Sequence, residues 1–134
     1  MMKSDIFGAY DIRGKYPEDI NESSVEILIP AILKSFKKKK QLNIIVGCDT
    51  RLSSPNLYRS ALRTLKATPG AKPIPVGVIT TPMIYFLVGK FKADGGIIIT
   101  ASHNPKNYNG IKVIDSVGLP VGGKEIYELY KSLR

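Results

Sequence analysis

Three short apolar runs constrain this chain most: Asn-Ile-Ile-Val-Gly at 43–47, a second at 74–79 and a third at 95–100, each rich in β-branched residues. A run that is apolar at consecutive positions suits a strand covered on both faces, not one with a wet side. Between the runs the apolar residues recur at three- and four-residue spacing, the signature of helices that bury one stripe. Strands alternating with helices are joined by crossovers, which build a parallel sheet with helices packed on it. The expected fold class is α/β: a three-layer α/β/α sandwich on a mainly parallel, mixed sheet, with 1–134 as one domain.

The helices are placed by their stripes and punctuation. From Asn21, the residues Val25, Leu28, Ile29, Ile32, Leu33 and Phe36 form one face, with Pro30 expected to kink the helix or to leave its first turns non-helical. A second helix is expected with Ser53 or Ser54 as its cap and Pro55 in its first turn. Leu57, Ala61, Leu62 and Leu65 give its stripe, and Thr68-Pro69-Gly70 its stop. Residues 82–91 and 124–133 read as two more. In such folds ligands bind beyond the carboxyl ends of the strands, which singles out the loops after Val46 and Ile99.

Composition narrows the partners. No window approaches the ~18 consecutive apolar residues of a spanning helix, so no membrane partner is expected. The start Met-Met-Lys-Ser-Asp-Ile lacks the plan of a secretory signal, and a lone cysteine, Cys48, builds no internal disulfide, so the cytoplasm is the expected location. Twenty Lys and Arg against eleven Asp and Glu leave a net charge of +9, which attracts nucleic acid, an acidic membrane face, phosphorylated metabolites or an acidic domain. Lys37–Lys40 read as the solvated end of the first helix. No aromatic residues are interleaved there for base stacking, and no nucleic acid is expected.

The segment that offers most chemistry runs from Gly95 to Lys112, where an apolar strand enters a turn crowded with Thr100, Ser102, His103, Asn104 and Pro105. Such residues are common turn formers, so a structural loop is one reading. The other makes Ser102 a nucleophile or phosphate carrier, with His103 or Lys112 donating to a bound anion. A serine hydrolase is disfavoured: the single histidine is the next residue in sequence, and there is no Gly-x-Ser-x-Gly elbow. One His and one Cys also make a poor zinc set. The clusters at 8–14 and 47–55 each place an Arg beside Asp and Gly, fitting either a buried ion pair that supports a turn or phosphate recognition.

Taken together, Tyr-Asp-Ile-Arg-Gly at 10–14, Gly-x-Asp-Thr-Arg-x-Ser-Ser-Pro at 47–55, Thr-Thr-Pro at 80–82 with Tyr85 and Phe86, and Thr-Ala-Ser-His-Asn-Pro with Tyr-Asn-Gly-x-Lys at 100–112 resemble the α-D-phosphohexomutases in order and spacing. The resemblance covers the first of that family's four domains. It implies a phosphohexomutase domain I fold, with Ser102 as the phosphoserine that passes a phosphoryl group to a hexose phosphate and recovers one from a hexose 1,6-bisphosphate. His103 would help to shape the loop. Arg13 and Lys112 would be the cations of the transfer centre, Tyr10 and Asn104 would help bind substrate, and Asp49 and Arg51 would support the wall of the site.

The resemblance also implies Mg²⁺ on the Ser102 phosphate, its other ligands being three aspartates of an Asp-Gly-Asp-x-Asp-Arg loop in the second domain. That loop is absent from these residues. The implied partners are a phosphorylated hexose and the remaining domains, and the isolated chain is expected to be inert and to self-associate through an exposed interdomain face. The spelling of the first motif is more similar to the phosphomannomutase/phosphoglucomutase branch than to phosphoglucosamine mutase. A stand-alone basic binding module, a degenerate mutase domain, is the rival reading.

Overall fold

The computed structural model describes residues 2–134. Its elements in chain order are β1 (Ile12–Lys15), α1 (Glu22–Lys34), β2 (Leu42–Cys48), α2 (Ser54–Lys66), β3 (Ala71–Val78), α3 (Thr81–Lys90), β4 (Gly95–Ile99), β5 (Tyr108–Asp115), β6 (Pro120–Val121) and α4 (Gly123–Ser132). One sheet runs β1-β5-β4-β2-β3, with β6 also paired to β5. β2 is parallel to both β3 and β4, whereas β5 is antiparallel to β4, β1 and β6. The sheet is mixed, as expected, and the three apolar runs of the sequence form its parallel part.

Side chains on the two faces explain the layers. Ile44, Val46, Ile97, Ile99, Ile111 and Val113 point into a core shared with α1, α2 and α4, where Val25, Leu28, Leu57, Ala61 and Ile126 are buried. Ile45, Ile98 and Ile114 point the other way, into a smaller core closed by Ile84 and Val88 of α3. That second face has one helix, packed over β4 and β2. Large apolar side chains stay exposed beside it: Val78 on the edge strand, and Met83, Phe86 and Phe91 along α3 and at its end.

Several local expectations change. α1 continues through Pro30 to Lys34, because Pro30 and Glu26, whose carbonyl it leaves without a helical donor, both face water. Its start is held by a reciprocal pair in which Asn21 accepts from the Ser24 N–H and Ser24 from that of Asn21. α2 begins at Ser54 without a side-chain cap, since both serines are engaged elsewhere. The run Lys37–Lys40 lies beyond the end of α1, in the connection to β2, where Lys39 Nζ donates to Asp94 Oδ1 over 2.8 Å. β3 carries Pro73 and Pro75, two residues apart and so directed to the same side, which an edge strand tolerates.

Candidate active site

The loop after β4 is built by short-range bonds. The backbone N–H of Thr100 donates to Gly110 O (3.0 Å), closing the β4–β5 ladder. Then Ala101 O accepts from both the N–H (3.1 Å) and the Nδ2 (2.8 Å) of Asn104, and Thr100 Oγ1 accepts from the Ser102 N–H at 3.0 Å. Ser102 stands at the tip with φ 54°, in the left-handed region that costs a residue with a Cβ roughly 1–2 kcal/mol. Its side chain is exposed, and Oγ makes no hydrogen bond among the described residues. Strain at an exposed residue persists only where the surroundings over-determine it.

Arg51 is the surrounding that does so. Nη1 donates to Pro105 O (2.6 Å) and Tyr108 O (3.1 Å), and Nη2 to Ser102 O (2.9 Å) and Asn104 O (2.8 Å). One guanidinium thus holds four carbonyls of the 102–108 loop. Nε lies 3.3 Å from Asp49 Oδ2, near enough for charge attraction but without hydrogen-bond geometry. Asp49 in turn accepts from the Arg51 N–H (3.0 Å) and from Ser54 Oγ. Buried Asn109 donates to Ser53 Oγ (2.7 Å) and Ser54 Oγ (3.0 Å), tying the start of β5 to the start of α2. Of the two readings of the 47–55 cluster, the geometry supports the turn-holding one, because the Nη groups of Arg51 are spent on carbonyls.

The cluster at 8–14 is different. Arg13 Nε donates to Asp11 Oδ1 at 2.9 Å, and the Arg13 side chain remains 42% exposed, with both Nη groups free among the described residues. Arg13 pairs in register with Gly110, the residue that receives the Thr100 N–H, so β1, β5 and the root of the Ser102 loop lie side by side. Gly110 is required there: an added Cβ would collide with Ile12 O and meet Arg13 Cα at 2.9 Å. Lys112 lies opposite Ile98, which faces the α3 core, and Arg13 follows Ile12, which faces the other. By strand alternation both cations point to the α3 side, on strands that α3 does not cover. Tyr10, just ahead of β1, is 65% exposed, and His103 is exposed at the loop tip.

Cys48 ends β2 beside Asp49. Burial and then the neighbouring carboxylate push its thiol above the ordinary value, and its side chain packs into the larger core. A depression of about 240 Å³ adjoins the loop, lined by Tyr16, Leu52, Ser53, Asn56, Lys106 and Asn107. Among the described residues no three His, Cys, Asp or Glu side chains gather to hold an ion. The donor set of this chain therefore does not by itself fit a magnesium site.

The phosphoglucomutase/phosphomannomutase alpha/beta/alpha domain I family model matches residues 4–134. The chain belongs to this family. It is 38% identical over 123 residues to a phosphomannomutase of Escherichia coli K12, covering 92% of this chain and 26% of that protein. With a phosphomannomutase of Methanocaldococcus jannaschii the identity is 39% over 127 residues, 94% of this chain and 27% of the relative. Among solved structures, a phosphoglucomutase/phosphomannomutase family protein of Burkholderia thailandensis superposes with a TM-score of 0.80 at 30% identity, over 99% of this chain and 30% of the other. The chain thus spans about a quarter of the length of these curated relatives.

Placed on this domain I fold, the sequence-derived residues divide into two groups. Ser102, His103 and Asn104 share one loop, and Arg13 and Lys112 stand on neighbouring strands beside its root. None of these side chains contacts another through a hydrogen bond. The part played by Asn109 was missed by sequence reasoning. A buried amide in a strand was its only signal, and it reads as a loop residue until the strand is known.

Proposed function

We propose that this domain carries the phosphoserine of a hexose-phosphate mutase of the phosphomannomutase/phosphoglucomutase type. The observation that supports this reading best is Ser102 itself, exposed and left-handed at the carboxyl end of β4, on a loop fixed through four carbonyls by Arg51. A phosphoryl group on Oγ passes to a hydroxyl of a hexose phosphate: the Oγ–P bond breaks, a sugar O–P bond forms and the hydroxyl proton ends on the freed Oγ, from which it returns to the sugar oxygen in the reverse transfer. The bisphosphorylated sugar then returns its other phosphoryl group to Oγ. Such transfer depends on positioning and on offsetting charge around phosphorus, the work assigned to Arg13 and Lys112. His103 shapes the loop at the phosphoryl group, while Tyr10 and Asn104 line the substrate side. Magnesium belongs to the proposal only through carboxylates beyond this domain.

The substrate is proposed to be mannose or glucose phosphate over glucosamine phosphate, on the Tyr-Asp-Ile-Arg-Gly spelling at 10–14, with the reaction in the cytoplasm. The 134 residues alone are proposed to be inert, since they span about a quarter of the length of the relatives. The test is peptide mapping of the protein isolated from its own cells. We expect an added phosphate of about 80 Da on the peptide holding Ser102, and its loss in Ser102→Ala. An unmodified Ser102 with phosphate on another residue would sink the assignment. Magnesium-dependent turnover by the 134-residue chain alone would overturn its proposed inertness.

A further inference from the structure

The net charge of this domain is not spread over it. β2, β3 and β4 run parallel, so the connections ahead of them, 35–41, 67–70 and 91–94, emerge at the end of the sheet opposite Ser102. These connections are stitched together: Leu42 N–H donates to Gly70 O at 2.7 Å, and Asp94 N–H donates to Asn43 O while its carboxylate holds Lys39 Nζ and the Asn43 N–H, these three at 2.8 Å. At this pole Lys37–Lys40 follow α1, whose last turn holds Lys34, Lys66 ends α2 and Lys72 starts β3. Lys90 ends α3, and Lys92 turns the chain with φ 49°. All nine lysines are exposed, and two acids share the pole: Asp94, which is buried, and Asp115, half-buried at the end of β5 opposite Gly95. The remainder of the chain holds eleven cations and nine acids. Most of the excess of +9 therefore sits at one end, away from Ser102.

Helix dipoles do not account for this. Three helices end at the pole, and Lys34, Lys66 and Lys90 satisfy them. Six lysines are left without that role. The shape of the patch selects its partner. It caps all three layers, since α1 and α2 lie on one face of the sheet and α3 on the other, so it is a two-dimensional face and not a stripe along which a nucleic-acid strand would run. Its nearest arginine, Arg63 in the last turn of α2, is paired with Glu26 and so is not a free fork for bidentate base or phosphate recognition. Phe91, 53% exposed, stands between Lys90 and Lys92, an apolar wedge ringed by cations. Clustered lysines around an exposed apolar side chain are what a protein resting on an anionic bilayer presents.

We propose that this lysine pole docks the domain on an anionic phospholipid surface, Phe91 entering the headgroup layer and Ser102 facing away from it. The inference is independent of the Ser102 chemistry. The test is sedimentation of the 134-residue chain with vesicles of phosphatidylcholine containing 30% phosphatidylglycerol, beside pure phosphatidylcholine vesicles and a 20-base-pair DNA duplex. Each surface lysine contributes about five-fold to partition. Lys37→Gln, Lys38→Gln and Lys40→Gln together, which spare the Lys39–Asp94 pair, are expected to weaken binding to the anionic vesicles about 100-fold. Phe91→Ser should weaken it roughly ten-fold. A control triple, Lys3→Gln, Lys124→Gln and Lys131→Gln, should change it less than about three-fold, and far-ultraviolet circular dichroism checks that each variant is folded. Three results would overturn the proposal: no binding to anionic vesicles at low salt, equal loss with the control triple, or duplex binding tighter than vesicle binding and unmoved by Phe91→Ser.

Discussion

Arg51 and Ser102 show how one side chain fixes another's backbone. Ser102 occupies a left-handed conformation that serine resists, and the four carbonyls around it have no other way to converge than on a planar cation with parallel donors. A lysine offers three donors from one point and does not span that ring. Arg51→Lys is therefore expected to free the 102–108 loop while leaving the cores intact, with a stability loss of about 1–3 kcal/mol for the unpaired carbonyls. Amide hydrogen exchange checks this: protection should fall in the loop and persist in β2 and β4. Unchanged loop exchange would mean that the short-range bonds from Ala101 and Thr100 suffice alone.

At the scale of elements, the apolar runs were legible in the sequence, in β2 and β4 because both faces are buried and in β3 although it is an edge strand with no fully buried residue. β2, β3 and β4 announce themselves as apolar runs, and three of the four helices begin and end within two residues of their expected limits; α1, whose stripe reaches Phe36, ends near Lys34 as well. β1 and β5 stay hidden because Gly14, Asn109 and Gly110 interrupt their alternation, and motif residues occupy the rest. The loop motif was readable as chemistry, but the carbonyl ring around Arg51 was not, since its acceptors are backbone atoms with no side-chain signature. Asp94 joins β4 to β2 in the same unreadable way. Burial raises its carboxyl pKa, but Lys39 and the Asn43 N–H outweigh burial and hold it below the ordinary value. A carboxyl with a folded pKa below its unfolded one, about 3.9, stabilises the fold above that pH and ceases to as pH falls through the folded value. Urea unfolding across pH 2–7 should show this excess loss below about pH 4 in the natural chain and not in Asp94→Asn, which should be weaker by about 1–2 kcal/mol at pH 7. Parallel pH curves for the two would show that other carboxyls carry the acid sensitivity.

For the molecule as a whole, charge and apolar surface are separated in a way that gives salt opposite effects on two associations. Val78, Met83 and Phe86 lie exposed beside the thinly covered α3 face, a region of the kind that meets another domain or a second copy. Two such chains, each at +9, repel, so self-association through that face should be weak at low ionic strength and strengthen as salt screens the repulsion. Docking of the lysine pole on an anionic surface depends on attraction, and the same salt should weaken it. Sedimentation equilibrium between 20 and 500 mM NaCl is expected to show the apparent dimer constant rising with salt, and Phe86→Glu should hold the chain monomeric throughout. A dimer that dissolves as salt is added would be held by charge, and the α3 face would then not be its seam.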